Sequence, residues 1–222
     1  MPILTEAPGA TKGAILDAAE RLFAAHGFRA TSLRAITSEA EANLGAVNYH
    51  FSSKDALILA VLRRRMQPMN AARLALLDQF EADAAGKPVA VEKILEALFR
   101  PPVELVVRGT KSGRFFVQLM AQALAEPSEL LEPLIEEEFA EKNRRFHAAM
   151  RRALPYLTSD DVHWRLHFAQ GVFLHAVAHA NVLELCSAGR CRIMTVEGTL
   201  RRMIAFCSAG MTARDAQQGK TK

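Results

Sequence analysis

The chain has 222 residues, half of them hydrophobic (50%), with a net charge of +4 and an isoelectric point near 9.1, which suffices for one or two folded domains with a real core. No uninterrupted apolar run reaches the roughly eighteen residues of a membrane span, and MPILTEAPGATK lacks the basic-then-apolar order of an export signal. Three cysteines without such a signal fit a reducing, cytoplasmic setting.

In chain order, residues 1–10 carry two prolines and a glycine and are expected to form a loose arm. Thr11 to His26 follows as an amphipathic helix, with Ile15, Ala18, Ala19, Leu22 and Phe23 at helical spacing and Gly27 as its stop. Phe28 is the expected companion plug in the same small core. Thr31 and Ser32 are N-cap residues ahead of Leu33 and Ile36, so a short helix starts there and fades through Ser38 to Glu41. Asn43 offers a second N-cap for a segment carrying Leu44, Val47, Asn48, Tyr49 and His50. Two brief helices around a tight turn make a helix-turn-helix, with the second helix placed for the major groove of double-stranded DNA.

The residue types on that second helix suit base reading. Gly45 and Ala46 allow close approach, Asn48 can make paired hydrogen bonds to adenine, and Leu44 or Ala46 can touch a thymine methyl. Tyr49 and His50 can reach a phosphate. Lys54 sits in the first turn of the next helix, where the dipole disfavours a cation, and its placement makes sense if a phosphate binds at that helix end. The charge balance limits this reading. Residues 1–57 hold five Lys and Arg against six Asp and Glu, so binding must rest on a few placed contacts, with Arg63 to Arg65 as candidate helpers.

The run AILDAAERLFAAHGFRATSLRAITSEAEANLGAVNYHFSSKDAL resembles the DNA-binding domain of tetracycline-repressor-like (TetR-family) transcriptional regulators. Its most specific pieces are the Gly27, Phe28, Thr31 cluster and NYHFSSKDAL. The resemblance implies that Thr31, Tyr49, His50 and Lys54 touch the DNA backbone and that Leu44 to Asn48 read bases, with Asn43 also in the DNA-binding set. One departure stands out. Many relatives carry glycine in the turn where this chain has Glu41, so the turn must either avoid positive φ or accept a cost of roughly 1 kcal/mol.

From Ser53 an apolar-periodic helix continues to about Ala85, with Pro68 expected to kink or interrupt it near Met66 or Gln67. It is either a carrier of motion or a plain connector. Gly86, Lys87 and Pro88 mark a boundary. Val91, Ile94, Leu95, Leu98 and Phe99 form the next stripe, with an interruption expected at Pro101 and Pro102. KSGRFFVQLMAQALAEP gives another helix, and Pro127 to Ala153 a strongly amphipathic one with Glu136 to Glu138 expected in water. Two further helices are expected, about Ser159 to Leu185 and Thr195 to Ser208. No strand alternation persists, so the fold class is all-α: an N-terminal three-helix helix-turn-helix domain over 1–57, a C-terminal helical ligand-binding and dimerisation domain over 58–212, and a disordered tail over 213–222.

The last two helices carry apolar residues on more than one face. The resemblance implies a four-helix homodimer bundle there, with Trp164, Phe168, Val172, Leu200, Met203 and Ile204 at the interface. A small-molecule effector site is implied in the same way, with Phe99, Phe115, Phe116, Met120, Phe139 and Phe173 as its expected lining, although such stripes are commonly plain core. The likeness of RFFVQLMAQALAEP to fatty-acid-responsive members suggests an acyl chain or thioester, met by Arg100, Arg108 or Arg114.

The pairs His163 with His167 and His175 with His179 have the i, i+4 spacing of metal ligands. They lack an adjacent acid or thiol, so no metal or other cofactor is expected. Cys186, Cys191 and Cys207 are expected to be ordinary thiols. No nucleophile elbow, phosphate loop or paired carboxylate is present, which argues against an enzyme. The rival reading is a helical protein-interaction module without specific DNA binding, for which Tyr49 and Lys54 would be dispensable.

Overall fold

A computed structural model describes residues 8–107, 113, 117, 119, 120, 123, 129–193 and 195–214, and all regular structure among them is helical. The described residues form nine helices: α1 (Pro8–Ala30), α2 (Leu33–Glu39), α3 (Leu44–Phe51), α4 (Lys54–Asp83), α5 (Val91–Val107), α6 (Glu132–Ala153), α7 (Ser159–Ala178), α8 (Ala180–Cys186) and α9 (Val196–Thr212). Most of the expected N-terminal arm and C-terminal tail lies outside the described residues, as do Phe115 and Phe116.

The chain divides into two compact units, Met1–Pro68 with Gly109–Glu138 and Met69–Arg108 with Phe139–Lys222. In the first, α1, α2 and α3 pack on one another around Ile15, Ala18, Ala19, Phe23, Ile36, Val47 and Phe51, all buried. Gly27 leaves the helical region at φ 81°, ψ 166°, ending the regular part of α1 where the sequence places its stop. Phe28 closes on Phe23 with ring centroids 5.5 Å apart. The first part of α4 adds Leu57, Ile58, Val61, Leu62 and Met66 to the buried set.

In the second unit α9 packs on α5 and α7, and α5 on α7. Two expected interruptions at proline need correction. Pro68 does not interrupt α4, and Pro101 with Pro102 do not interrupt α5, which continues to Val107. A proline inside a helix leaves the carbonyl four residues back without its donor. For Pro102 that carbonyl belongs to Leu98, and the Arg73 guanidinium fills it, Nε donating at 2.9 Å. The expected single helix from Ser159 to Leu185 is divided at His179 (φ −118°, ψ 36°) into α7 and α8. Thr158 starts α7 with a reciprocal cap, its hydroxyl accepting from the Asp161 amide and the Asp161 carboxylate accepting from the Thr158 amide.

Candidate nucleic-acid interface

The reading head is assembled from caps. Ser32 Oγ accepts from the Ala35 amide at 3.1 Å and starts α2, so Ser32 is the cap and Thr31 is not. Thr31 instead is buried, its hydroxyl sitting within hydrogen-bond distance of two carbonyl oxygens, Leu22 at 3.1 Å and Gly27 at 2.9 Å. It closes the frayed end of α1.

Between α2 and α3 the chain turns through Glu41 at φ 51°. The Ala42 amide donates back to the Thr37 carbonyl at 2.9 Å and the Glu41 amide to Ser38 at 3.4 Å, the paired bonds of a Schellman ending with Glu41 at the left-handed position. The turn therefore accepts the strain that glycine would avoid. Asn43 Oδ1 then accepts from the Ala46 amide at 2.8 Å and starts α3. A Cβ on Gly45 would stand 3.1 Å from that same Oδ1, so glycine there leaves room for the cap.

Within α3 the side chains are sorted by face. Val47 and Phe51 are buried and anchor the helix, whereas Asn43, Leu44, Gly45, Asn48 and Tyr49 are exposed and Ala46 and His50 half-buried. Tyr49 is 82% exposed, far more than a core aromatic would be, and its ring meets His50 at 5.0 Å. After α3, Ser52 adopts φ 59°, ψ −35°, and the Ser53 amide donates to the Phe51 carbonyl at 2.6 Å across it, a strained three-residue turn. Ser53 Oγ accepts from the Ala56 amide at 3.0 Å and caps α4. Lys54 in the first turn donates to the Arg29 carbonyl at 3.2 Å, which ties the start of α4 to the end of α1 and leaves further ammonium hydrogens for an anion.

The candidate helpers Arg63 to Arg65 are committed elsewhere. Arg63 bonds Glu137 and Glu138, Arg64 pairs with Asp17 at 2.6 Å, and Arg65 with the buried Glu20 at 3.2 Å. Glu138 is accordingly not in water as expected, since Arg63 and Gln67 both donate to it. Sequence reasoning passed over Arg29 and Arg34, which are exposed at the end of α1 and in the first turn of α2. Their neighbourhood to the Lys54 anchor and the Ser32 cap was the signal that could have found them.

The expected effector and interface residues lie as follows. Phe99 and Phe173 stack in the second unit with centroids 6.0 Å apart, both buried. Phe139 is half-buried beneath the Lys142 ammonium, 4.3 Å from its ring centre. Met120 is buried and is assigned to the first unit. Arg100 is held by Glu96 and Glu197 at 2.7 Å each, with the Glu197 bond first among the causes that raise its pKa, so it is not a free anion ligand; Arg108 and Arg114 lie outside the described residues.

On the interface side, Trp164 (62%) and Phe168 (60%) are exposed and Val172 and Ile204 half-buried. Leu200 and Met203 are buried within the single chain, on the helix that meets α5 and α7. Phe206, 69% exposed on α9, was not in the expected set. Among the described residues no group of three metal-ligating side chains occurs, and no helix is long and apolar enough to cross a membrane.

A helix-turn-helix with an exposed reading face, followed by a separate helical unit, is the build of a DNA-binding regulator. Residues 15–61 match the family described as bacterial regulatory proteins, tetR family, and residues 96–210 match the tetracyclin repressor-like C-terminal domain. The chain belongs to the TetR family, as a transcriptional regulator with a DNA-binding helix-turn-helix and a C-terminal domain, and members of this family are regulators and not enzymes.

Over 78 residues it is 38% identical to the uncharacterized HTH-type transcriptional regulator YerO of Bacillus subtilis (strain 168), a match covering 35% of this chain and 25% of that relative's length. Among solved structures it is similar to the ketosteroid transcriptional regulator KstR2 of Mycobacterium tuberculosis, with TM-score 0.64, 19% identity, and coverage of 91% of this chain and 95% of that one. It is also similar to the fatty acid degradation regulator FadR from Bacillus halodurans, with TM-score 0.62, 13% identity, and coverage of 89% and 98%. At such identities these two likenesses establish the fold.

Proposed function

We propose that the protein is a cytoplasmic, homodimeric repressor that binds a palindromic operator and releases it when a small, apolar-bodied effector occupies the C-terminal domain. The observation that carries the DNA part is the division of α3 into a buried anchor, Val47 and Phe51, and an exposed face of small and amide side chains around Asn48. In this reading 1–57 is the DNA-binding domain, 58–212 the effector and dimerisation domain and 213–222 a tail. Leu44, Gly45, Ala46 and Asn48 meet base edges, with Asn43 at the cap beside them, and Thr31, Tyr49, His50 and Lys54 meet the backbone. A second copy is supported by Trp164, Phe168 and Phe206, large exposed aromatics on α7 and α9, two helices that already pack together. Pairing through that face sets two reading helices about 34 to 36 Å apart for two half-sites.

Control follows from differential binding. An effector that favours a spacing of the heads unfit for DNA lowers operator affinity by the ratio of its affinities for the two states. The test is selection of genomic fragments by the purified protein, with and without an extract of small hydrophobic metabolites. Recovery of a palindrome that is lost with the extract is the expected result. No enrichment at low salt by a folded protein would overturn the reading in favour of a protein-interaction module.

A further inference from the structure

Among the described residues, two cations lie inside the second unit without an acid at ion-pair distance. Arg73 of α4 is 5% exposed and Lys142 of α6 is 3% exposed. Arg73 uses Nε on the Leu98 carbonyl at 2.9 Å and Nη1 on Asn70 Oδ1 at 3.1 Å. Lys142 donates to Gln170 Oε1 at 2.8 Å and covers the Phe139 ring. All of these partners are neutral. The ion-paired acids described in this unit go to other cations: Asp78 and Glu81 to Arg145, Glu81 also to Arg152, Glu96, Glu104 and Glu197 to Arg100, Glu141 to Arg144, and Glu184 to Arg192.

A buried charge without a counter-charge is costly, and an apolar side chain of the same length would cost less. Arg73 has a structural duty at the carbonyl that Pro102 orphans. Lys142 has no comparable one: it donates to the Oε1 of Gln170, whose Nε2 is separately bonded to the Leu166 carbonyl at 3.2 Å. What the two share is donor capacity beyond these bonds. Phe139 lies under the Lys142 ammonium, and two more rings follow the cations' partners in the chain. Phe173, one turn beyond Gln170 on α7, stacks on Phe99, which follows Leu98 on α5.

Resting on the effector reading above, we propose that Lys142 and Arg73 seat the carboxylate head of the effector, which is a small organic acid with an aryl or alkyl body against Phe99, Phe139 and Phe173. Burial holds the Lys142 ammonium down to about 7, and the Arg73 charge pushes the same way. An arriving carboxylate opposes both effects, so binding restores the proton to Lys142. The seat differs from the arginines the sequence offered.

The test uses the full-length protein with isotope-labelled lysine, the Lys142 resonance being identified by its loss in Lys142→Met. Phenylacetate and decanoate are titrated against phenylacetamide and decanol, with operator affinity measured in parallel. At least one carboxylate should bind saturably, move the Lys142 resonance toward the charged form and loosen the operator complex, with its neutral partner inert. Lys142→Met, which keeps the apolar volume, should weaken that carboxylate about 10- to 100-fold. Failure of both carboxylates to move Lys142, or unchanged binding in Lys142→Met, overturns the anion seat. If a neutral compound then loosens the operator complex, the effector reading survives that loss; carboxylate binding at Lys142 that leaves operator affinity unchanged keeps the seat and overturns the effector reading.

Discussion

Lys142→Met should make the effector-free protein more stable, by an amount that depends on pH. With Lys142 lowered from 10.5 to about 7 by burial first and by Arg73 second, the folded chain sheds its proton well before the unfolded chain does. Below about 7 both states hold the proton and the folded state bears the whole cost of the buried charge. Between about 7 and 10.5 the unfolded chain binds more protons, so the stability of the native chain rises with pH, by at most about 1.4 kcal/mol per unit. The whole window corresponds to an upper limit of about 5 kcal/mol, part of which water entry around a charged Lys142 will relieve. The advantage of Lys142→Met over the native chain should therefore shrink by about 2 to 3 kcal/mol between roughly pH 6 and pH 9. Urea midpoints of both proteins, taken in the same buffers at one protein concentration, give this difference directly, because every other titrating group cancels. A difference that stays flat across that range, or a variant less stable at the acidic end, would refute the assignment of Lys142 as a buried, uncompensated cation.

Other outcomes follow from the reading head and the exposed aromatics. Asn48→Ala should cost roughly 1 to 3 kcal/mol on the operator and leave random duplex binding unchanged, whereas Lys54→Ala should weaken all duplexes alike and lower the salt slope by about 0.9. Equal losses on both DNAs for Asn48→Ala would remove it from base readout. Glu41→Gly relieves a left-handed cost of about 1 to 2 kcal/mol and adds about 0.4 to 1 kcal/mol of unfolded-state freedom, so thermal denaturation should show a net gain near 0.5 to 1 kcal/mol with operator affinity intact. Trp164→Asp should shift the protein toward monomer in sedimentation equilibrium and weaken operator binding; an unchanged dimer would move the interface away from α7.

The reading head was legible because what builds it is local. Ser32, Asn43 and Ser53 each cap the amide three residues on, and Gly27 takes the φ that ends α1, so short-range chemistry writes the boundaries of the helices. Thr31 misled because a hydroxyl before a helix looks the same whether it caps forward or, as here, backward. The prolines of α5 misled for a tertiary reason: the donor that rescues the Leu98 carbonyl comes from residue 73, far away in sequence. Leu200 and Met203 were distinguishable from Phe206 only by which side of α9 meets α5 and α7. Lys142 carries no signal at all, since it sits in a helix segment whose other charges, Glu141, Arg144 and Arg145, form ordinary ion pairs. The break at His179 has no glycine or proline beside it, and we have no physical account of it.

The sorting of α3 has a consequence for how such a regulator can change over time. Val47 and Phe51 hold the helix in place, while Leu44, Asn48 and Tyr49 have no part in the buried core. Substitutions at those outward positions leave the folding of the head almost untouched, because surface changes away from caps and core cost little. Under the proposed base-reading role, target choice and structural integrity are thus inherited through separate residues. A duplicated copy of this gene could drift to a new operator in a few steps without passing through an unfolded ancestor, and exchanging Leu44 and Asn48 is the shortest route to retargeting it by design.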